Sequence, residues 1–272
     1  MSEEVNRQRR FFLGSAAAGI AAAEMAFMGG ANAQSVAPTP VSASGTVQKL
    51  EPIKQIQAGE LDIGYYEAGP VDGPPVVLLH GFPYDIHSYV DVAPMLAARG
   101  CRVIVPHLRG YGSTRFLDSA TPRSAQQSAV GADAIALMDA LKIDRAVLAG
   151  YDWGARTACV VAALWPERCA GLVSVNGYLV QDIARAKVPL PAKIESGLWY
   201  QYYFATERGR AGLTANRRDF ARVTWVRNSP TWKFDDATFE AQRGSVRQSR
   251  LCRHRDPQLP VPAGPCARHC EI

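Results

Sequence analysis

Four short apolar runs, each followed or separated by a helical segment, constrain this chain more than any other feature. Val76-Val77-Leu78-Leu79 and Val103-Ile104-Val105 are continuous rather than alternating, as expected of strands buried on both faces. Arg145-Ala146-Val147-Leu148-Ala149 and Gly171-Leu172-Val173-Ser174-Val175 continue the series. Helical spacing runs from about Tyr89 to Ala98, from Ala125 to Leu141 and from Ala155 to Leu164, where Pro166 stops it. Ahead of the series, Leu61 to Tyr66 alternates in the manner of a half-buried strand. Strands and helices alternating at this spacing fold as a parallel sheet covered by helices on both faces. In such sheets chemistry gathers at the carboxyl ends of the strands. The residues just after each run are therefore the candidates for function.

Three motifs fall there. Gly150-Tyr151-Asp152-Trp153-Gly154 sits between an apolar strand and a helix, in the pattern Gly-x-nucleophile-x-Gly. A strained strand-to-helix turn lifts the middle side chain from the backbone, and flanking glycines let the turn pass close to its neighbours. The helix N-terminus favours a carboxylate at that place. An alternative is that Asp152 merely caps the helix, a common role for Asp. His80-Gly81-Phe82-Pro83 follows the first buried strand directly, and Leu108-Arg109-Gly110-Tyr111-Gly112 follows the second.

Taken in this order, the motifs resemble those of the α/β-hydrolases. With Asp where esterases and lipases have Ser, the chain is similar to the epoxide hydrolase and haloalkane dehalogenase branch. The resemblance implies an α/β-hydrolase fold: a mostly parallel sheet with helices on both faces, a helical cap, and the last core strands missing from this chain. It also implies roles. Asp152 would be the nucleophile, and the backbone amides of Phe82 and Trp153 would stabilise a developing oxyanion. Trp199-Tyr200-Gln201-Tyr202-Tyr203-Phe204 resembles the cap segment of soluble epoxide hydrolases that carries a ring-opening tyrosine, which makes Tyr200 the hydrogen-bond donor to the epoxide oxygen. Tyr202 and Tyr203 read instead as an aromatic face packing the cap. By the same comparison His80 is structural rather than a base. His107 departs from the family, whose loop more often begins Pro-Asp.

An Asp nucleophile displaces at saturated carbon, opening an epoxide or expelling a halide, and leaves an alkyl-enzyme ester. The implied partner is thus a small apolar substrate, either an epoxide or an organohalide, with no metal or organic cofactor. Trp153 suits both branches, because an indole N–H beside the nucleophile could hold a halide. Epoxide opening is the expectation; a haloalkane or haloacid dehalogenase with the same nucleophile is the alternative within enzymes. A catalytically dead remnant or binding protein is the alternative outside them. The ester-hydrolysing step calls for a late histidine and an acid, and between His107 and His254 the sequence has no histidine. Some relatives place the acid after the strand that here runs into Asn176, and Asn cannot serve.

The two ends of the chain read differently from its middle. Arg9-Arg10-Phe11-Phe12-Leu13, a small-residue stretch and Ala31-Asn32-Ala33 have the order of a twin-arginine signal peptide over residues 1–33. That expectation brings the twin-arginine export machinery as a partner and a periplasmic or secreted location. The stretch is too short and weak for stable membrane insertion. Residues 34–48, rich in Pro, Ser, Ala and Thr, suit a linker. The core is expected over 49–178, the cap over 179–240 and an aberrant tail over 241–272. That tail holds six arginines against Asp256 and Glu271, so most of the net charge of +5 belongs to it. The body is nearly neutral and carries no footprint for nucleic acid. Cys101, Cys159 and Cys169 read as small core residues. Cys252, His254, Cys266, His269 and Cys270 match no zinc module well. The tail is compatible with a frameshift: a one-base shift across Arg247 to Leu259 permits an apolar-patterned segment ending in Tyr. Such a truncation predicts an open apolar sheet edge and covalent turnover that stalls at the ester.

Overall fold

The computed structural model describes residues 49–175, 182 and 188–242. The expected leader, linker and nearly all of the tail, with Cys252, His254, Cys266, His269 and Cys270, lie outside the described residues. So does Asn176. The described chain forms one sheet of seven strands: β1 (Lys54–Ala58), β2 (Leu61–Ala68), β3 (Pro75–Leu79), β4 (Arg102–Pro106), β5 (Arg115–Phe116), β6 (Ala146–Tyr151) and β7 (Cys169–Val175). Their order is β1-β2-β4-β3-β6-β7, with β5 pairing β2. Strands β4, β3, β6 and β7 run parallel, while β1 and β2 add antiparallel to one side.

The helices are α1 (Val92–Ala98), α2 (Gln127–Ala140), α3 (Trp153–Leu164), α4 (Ala192–Glu195), α5 (Trp199–Ala205), α6 (Glu207–Asn228) and α7 (Asp236–Gln242). Alternate side chains of each central strand enter cores on opposite faces of the sheet. Val77, Leu79, Ile104 and Leu148 meet Leu137 and Met138 of α2 and Ala158 and Val161 of α3. Val76, Leu78, Val103 and Val105 meet Ile86, Tyr89 and Ala93. The continuous apolar runs exist because both faces are covered.

Two expectations need correction, and two strands had no signal in the sequence. The helix expected from Tyr89 to Ala98 is a 3₁₀ turn, Ile86–Tyr89, followed after a break by α1. Asp85 caps that turn by accepting from the His87 N–H, and the Val90 N–H closes it on the His87 carbonyl. β1 and β5 carried no apolar signal: β1 is largely exposed and β5 has only two residues. The fourth apolar run is a strand but not a buried one. Leu172, Val173 and Val175 are 39%, 51% and 50% exposed. Among the described residues β7 pairs with β6 alone, so its outer edge and much of its face have no cover. Of the three cysteines, Cys159 is buried and Cys101 and Cys169 are half-buried.

Helices α5, α6 and α7 lie over the carboxyl ends of the strands through aromatic contacts. Trp225 of α6 and Phe239 of α7 are fully buried, and Tyr84 from the loop after β3 stacks on Trp225 at 5.0 Å. The helix α7 runs to Gln242, past the expected cap boundary at 240. No helix among the described residues is long and apolar enough to cross a membrane.

Candidate active site

Register brings the motifs together. β3 and β6 are parallel neighbours with Leu79 opposite Gly150, so Phe82 and Asp152 emerge side by side just past the strand ends. Asp152 holds φ 52° and ψ −120° at the β6–α3 junction, a conformation that costs a non-glycine residue about 1–3 kcal/mol. Its neighbours explain how the turn is tolerated. A Cβ on Gly150 would lie 2.4 Å from the Gly154 carbonyl carbon, and one on Gly154 would lie 1.9 Å from the Leu79 oxygen. Only glycine lets helix α3 begin this close to β3. The Asp152 N–H donates to the Val175 carbonyl at 3.2 Å, tying the turn to β7 as well.

The Asp152 side chain does not cap α3: it makes none of the hydrogen bonds to the first helical turn that define a cap. It turns instead to the loop after β3, where the Phe82 N–H donates to Oδ1 at 2.9 Å. Gly81 makes this approach possible, since a Cβ there would lie 2.5 Å from the Asp152 Cβ. Burial pushes the Asp152 carboxyl above the usual carboxylate range, against the opposing pull of the Phe82 and Trp153 N–H groups and of the Arg156 charge. The Phe82 amide, expected to serve as an oxyanion donor, is thus already bonded to the carboxylate, and the Trp153 N–H also favours its charged form.

Tyr200, on α5, reaches the same place from above. Its ring stacks on Phe82 at 5.7 Å between centroids. Phe204 and Phe220 approach Phe82 at 6.3 and 6.0 Å, closing an aromatic wall over the oxyanion loop. Tyr202 is exposed and bonds to Glu195, away from this wall. The Trp153 ring lies under the Arg156 guanidinium at 4.9 Å.

Two histidines near the site, His80 and His107, are held neutral. His80 is fully buried, accepts from the Leu108 N–H at 3.2 Å through Nε2, and meets Tyr111 edge-on at 4.7 Å. Burial lowers its pKa to about 4, and the same cause lowers that of His107 to about 4. A proton acceptor that also braces two strand ends is structural. His87 pairs through Nδ1 with buried Asp85 at 3.1 Å. Burial alone would push Asp85 up, but the bonds from His87 outweigh it and hold the carboxyl below its ordinary value. Among the described residues no three His, Cys, Asp or Glu side chains gather as a metal would require.

The motif Leu108 to Gly112 is anchored by Arg109, which donates to both Asp133 oxygens at 2.6 Å and to the Ser124 and Ala129 carbonyls. This pins the loop that carries Tyr111. Tyr111 is partly buried, and burial of its hydroxyl, with Asp152, Tyr151, Asp85 and Tyr200 nearby, raises its pKa. Sequence reasoning missed Tyr111, Tyr84 and Arg156 as neighbours of the nucleophile. Only Arg156 left a signal, a cation in the first turns of a helix where the dipole disfavours it.

Comparison with known proteins agrees with this geometry. The family described as "alpha/beta hydrolase fold" matches residues 74–224. Epoxide hydrolase B of Mycobacterium tuberculosis is 34% identical over 152 residues, covering 50% of this chain and 41% of the relative. Haloalkane dehalogenase of Mycobacterium marinum is 36% identical over 133 residues, covering 47% and 42%. A crystal structure of a candidate epoxide hydrolase from Klebsiella pneumoniae aligns with a TM-score of 0.72 at 56% identity, covering 73% of this chain and 66% of that one. The chain spans about two fifths of the length of the curated relatives it matches.

Proposed function

From the premise that this chain belongs to the α/β-hydrolase family, we propose that it attacks epoxides through Asp152. The observation that carries the reading is the Asp152 carboxylate, which makes no cap bond to its own helix and is held at 2.9 Å by the Phe82 amide. The carboxylate oxygen Oδ1, held by the Phe82 amide, is fixed; Oδ2 is the attacking atom. It forms a C–O bond to an epoxide carbon as the ring C–O bond breaks. The released alkoxide takes a proton from Tyr200, whose ring lies over the same loop. The product is an alkyl ester on Asp152. Attack of water on that ester would place the oxyanion on Oδ1, which already faces the Phe82 N–H, so that donor need not move. No described histidine is assigned as the base for that second step: His80 and His107 are buried and neutral.

The test is intact-mass analysis after incubation with a styrene-type epoxide. The expected result is one covalent adduct on the native chain, none on Asp152→Asn, and peptide mapping of the mass to Asp152. A folded chain that gains no adduct would sink the reading and favour a non-catalytic remnant. Halide displacement is the second reading, favoured by Trp153 beside the nucleophile and by the dehalogenase relative. Release of free halide from an alkyl halide, without any epoxide-derived adduct, would select it.

A further inference from the structure

The 3₁₀ turn Ile86–Tyr89 stands directly behind the oxyanion loop and is fastened more heavily than its length requires. Only Pro83 and Tyr84 separate Phe82 from Asp85, the residue that caps the turn. Pro83 fixes its own φ and Tyr84 is stacked on Trp225 at 5.0 Å, so Phe82 has little slack relative to Asp85. Asp85 is 2% exposed, and its Oδ1 accepts from the His87 N–H at 2.9 Å. The His87 Nδ1 stands 3.1 and 3.2 Å from Oδ1 and Oδ2. An ionised carboxylate only accepts, so Nδ1 is the protonated ring nitrogen. Asn or Ser could cap so short a turn without burying a charge. The carboxylate adds a second, charge-assisted hold on the same residue.

From this 3₁₀ turn two side chains reach back to the site. The Tyr89 hydroxyl donates at 2.7 Å to the carbonyl of Leu79, the last residue of β3. Ser88 Oγ and the Tyr151 hydroxyl share a hydrogen bond of 2.8 Å, and Tyr151 is the residue before the nucleophile. Tyr84 and Tyr89 flank the Tyr151 ring at 6.1 and 6.0 Å. The contacts close a circuit: from Tyr151 to the 3₁₀ turn, along the loop to Phe82, and through its N–H back to Asp152. The other titratable groups about Asp85 are His80 and His107, both neutral, and the hydroxyls of Tyr111 and Tyr151. We infer that Asp85 is a positioning residue: by capping the turn that grips Leu79 and Tyr151, it holds the Phe82 amide on the nucleophile. This rests on the reading of Asp152 as nucleophile. It gives the buried Asp85–His87 pair a task beyond closing four residues into a turn.

The experiment follows the Asp152 carboxyl by NMR titration of the full chain carrying isotope-labelled aspartate, with Asp152→Asn to assign the signal. The bond from the Phe82 N–H favours the charged form of Asp152, so losing it raises the titration midpoint. Asp85→Ala removes the cap and, with it, a negative charge. The lost charge by itself would lower the Asp152 midpoint, whereas retreat of the Phe82 amide raises it, so the two causes differ in sign. The expected result is a rise of about half a pH unit or more in Asp85→Ala. Asp85→Asn, whose amide oxygen still accepts from the His87 N–H, should stay at or below the native midpoint. An unchanged or lowered midpoint in folded Asp85→Ala would overturn the proposal, and so would an equal rise in Asp85→Asn. If Asp85→Ala does not fold, Ser88→Ala decides. That side chain is exposed and neutral, and cutting its bond to Tyr151 should raise the Asp152 midpoint; no rise would overturn the proposal. A raised midpoint with no adduct on any chain would refute the alkylation chemistry and leave the positioning role standing. Adduct formation with an unmoved midpoint would do the reverse.

Discussion

Gly81→Ala tests whether the oxyanion loop and the nucleophile are as tightly fitted as the geometry requires. The added Cβ would stand 2.5 Å from the Asp152 Cβ, 2.8 Å from its Oδ1 and 2.9 Å from the Tyr151 carbonyl oxygen. Carbon atoms in comfortable contact sit at about 3.5–4.0 Å, so the loop and the turn must part by about 1 Å. The turn cannot retreat freely, because Gly154 is already against Leu79 and the Asp152 N–H is tied to Val175. Opening by that amount stretches the 2.9 Å bond from Phe82 beyond hydrogen-bond range. A displacement of about 1 Å at reacting groups costs roughly 10²-fold in rate. The overpacking itself should cost about 1–3 kcal/mol of stability. The assay is the rate of adduct formation by quenched intact-mass analysis, beside thermal unfolding of the same preparation. Gly171→Ala is the control: its Cβ would meet Val147 methyls at 3.6 and 3.9 Å, ordinary contacts on β7. Folded Gly81→Ala alkylating at the native rate would refute the claim that this close approach sets the nucleophile.

Asp133→Ala strips Arg109 of its bidentate partner while the guanidinium side chain is only 5% exposed. The expected loss is about 3–5 kcal/mol in urea unfolding, and a loss below about 1 kcal/mol would mean the pair acts like a surface one. Tyr200→Phe keeps the stack on Phe82 but removes the proton; epoxide alkylation should slow by about 10²-fold or more while alkyl halide displacement is unchanged. Equal slowing of both would assign Tyr200 to packing. Because burial raises the Asp152 pKa, adduct formation should fall with decreasing pH at a midpoint above the ordinary carboxylate value. The linkage has the matching sign. A raised folded pKa contributes stability at low pH that is lost as pH rises through it, so Asp152→Asn should unfold at a higher temperature than the native chain near pH 8. Each 1 kcal/mol corresponds to about 2–4 °C, and the gap should close in acid; a gap that is absent or reversed near pH 8 would contradict the burial cost.

Much of the scaffold was legible because its signals are local. The runs at Val76, Val103 and Arg145 carry the composition of strands covered on both faces, and Gly150 to Gly154 carries the pattern of a turn that only glycines permit. These are properties of neighbours in sequence; they single out Asp152, while the role of the Phe82 loop came from the family resemblance. What the tertiary structure alone decided depends on who lies across a gap. Asp is a good helix cap by its chemistry, and only the Phe82 amide 2.9 Å away shows the side chain turned elsewhere. Arg156 follows Trp153 by three residues in the sequence, and only the helix brings its guanidinium over the indole ring. Tyr200 lies far along the chain from Phe82, yet their rings stack. The run from Cys169 to Val175 reads like its predecessors, but its exposure was set by the pairing of one edge and not the other. Periodicity is written residue by residue along the chain, whereas burial and charge pairing belong to segments that meet only when the sheet has formed.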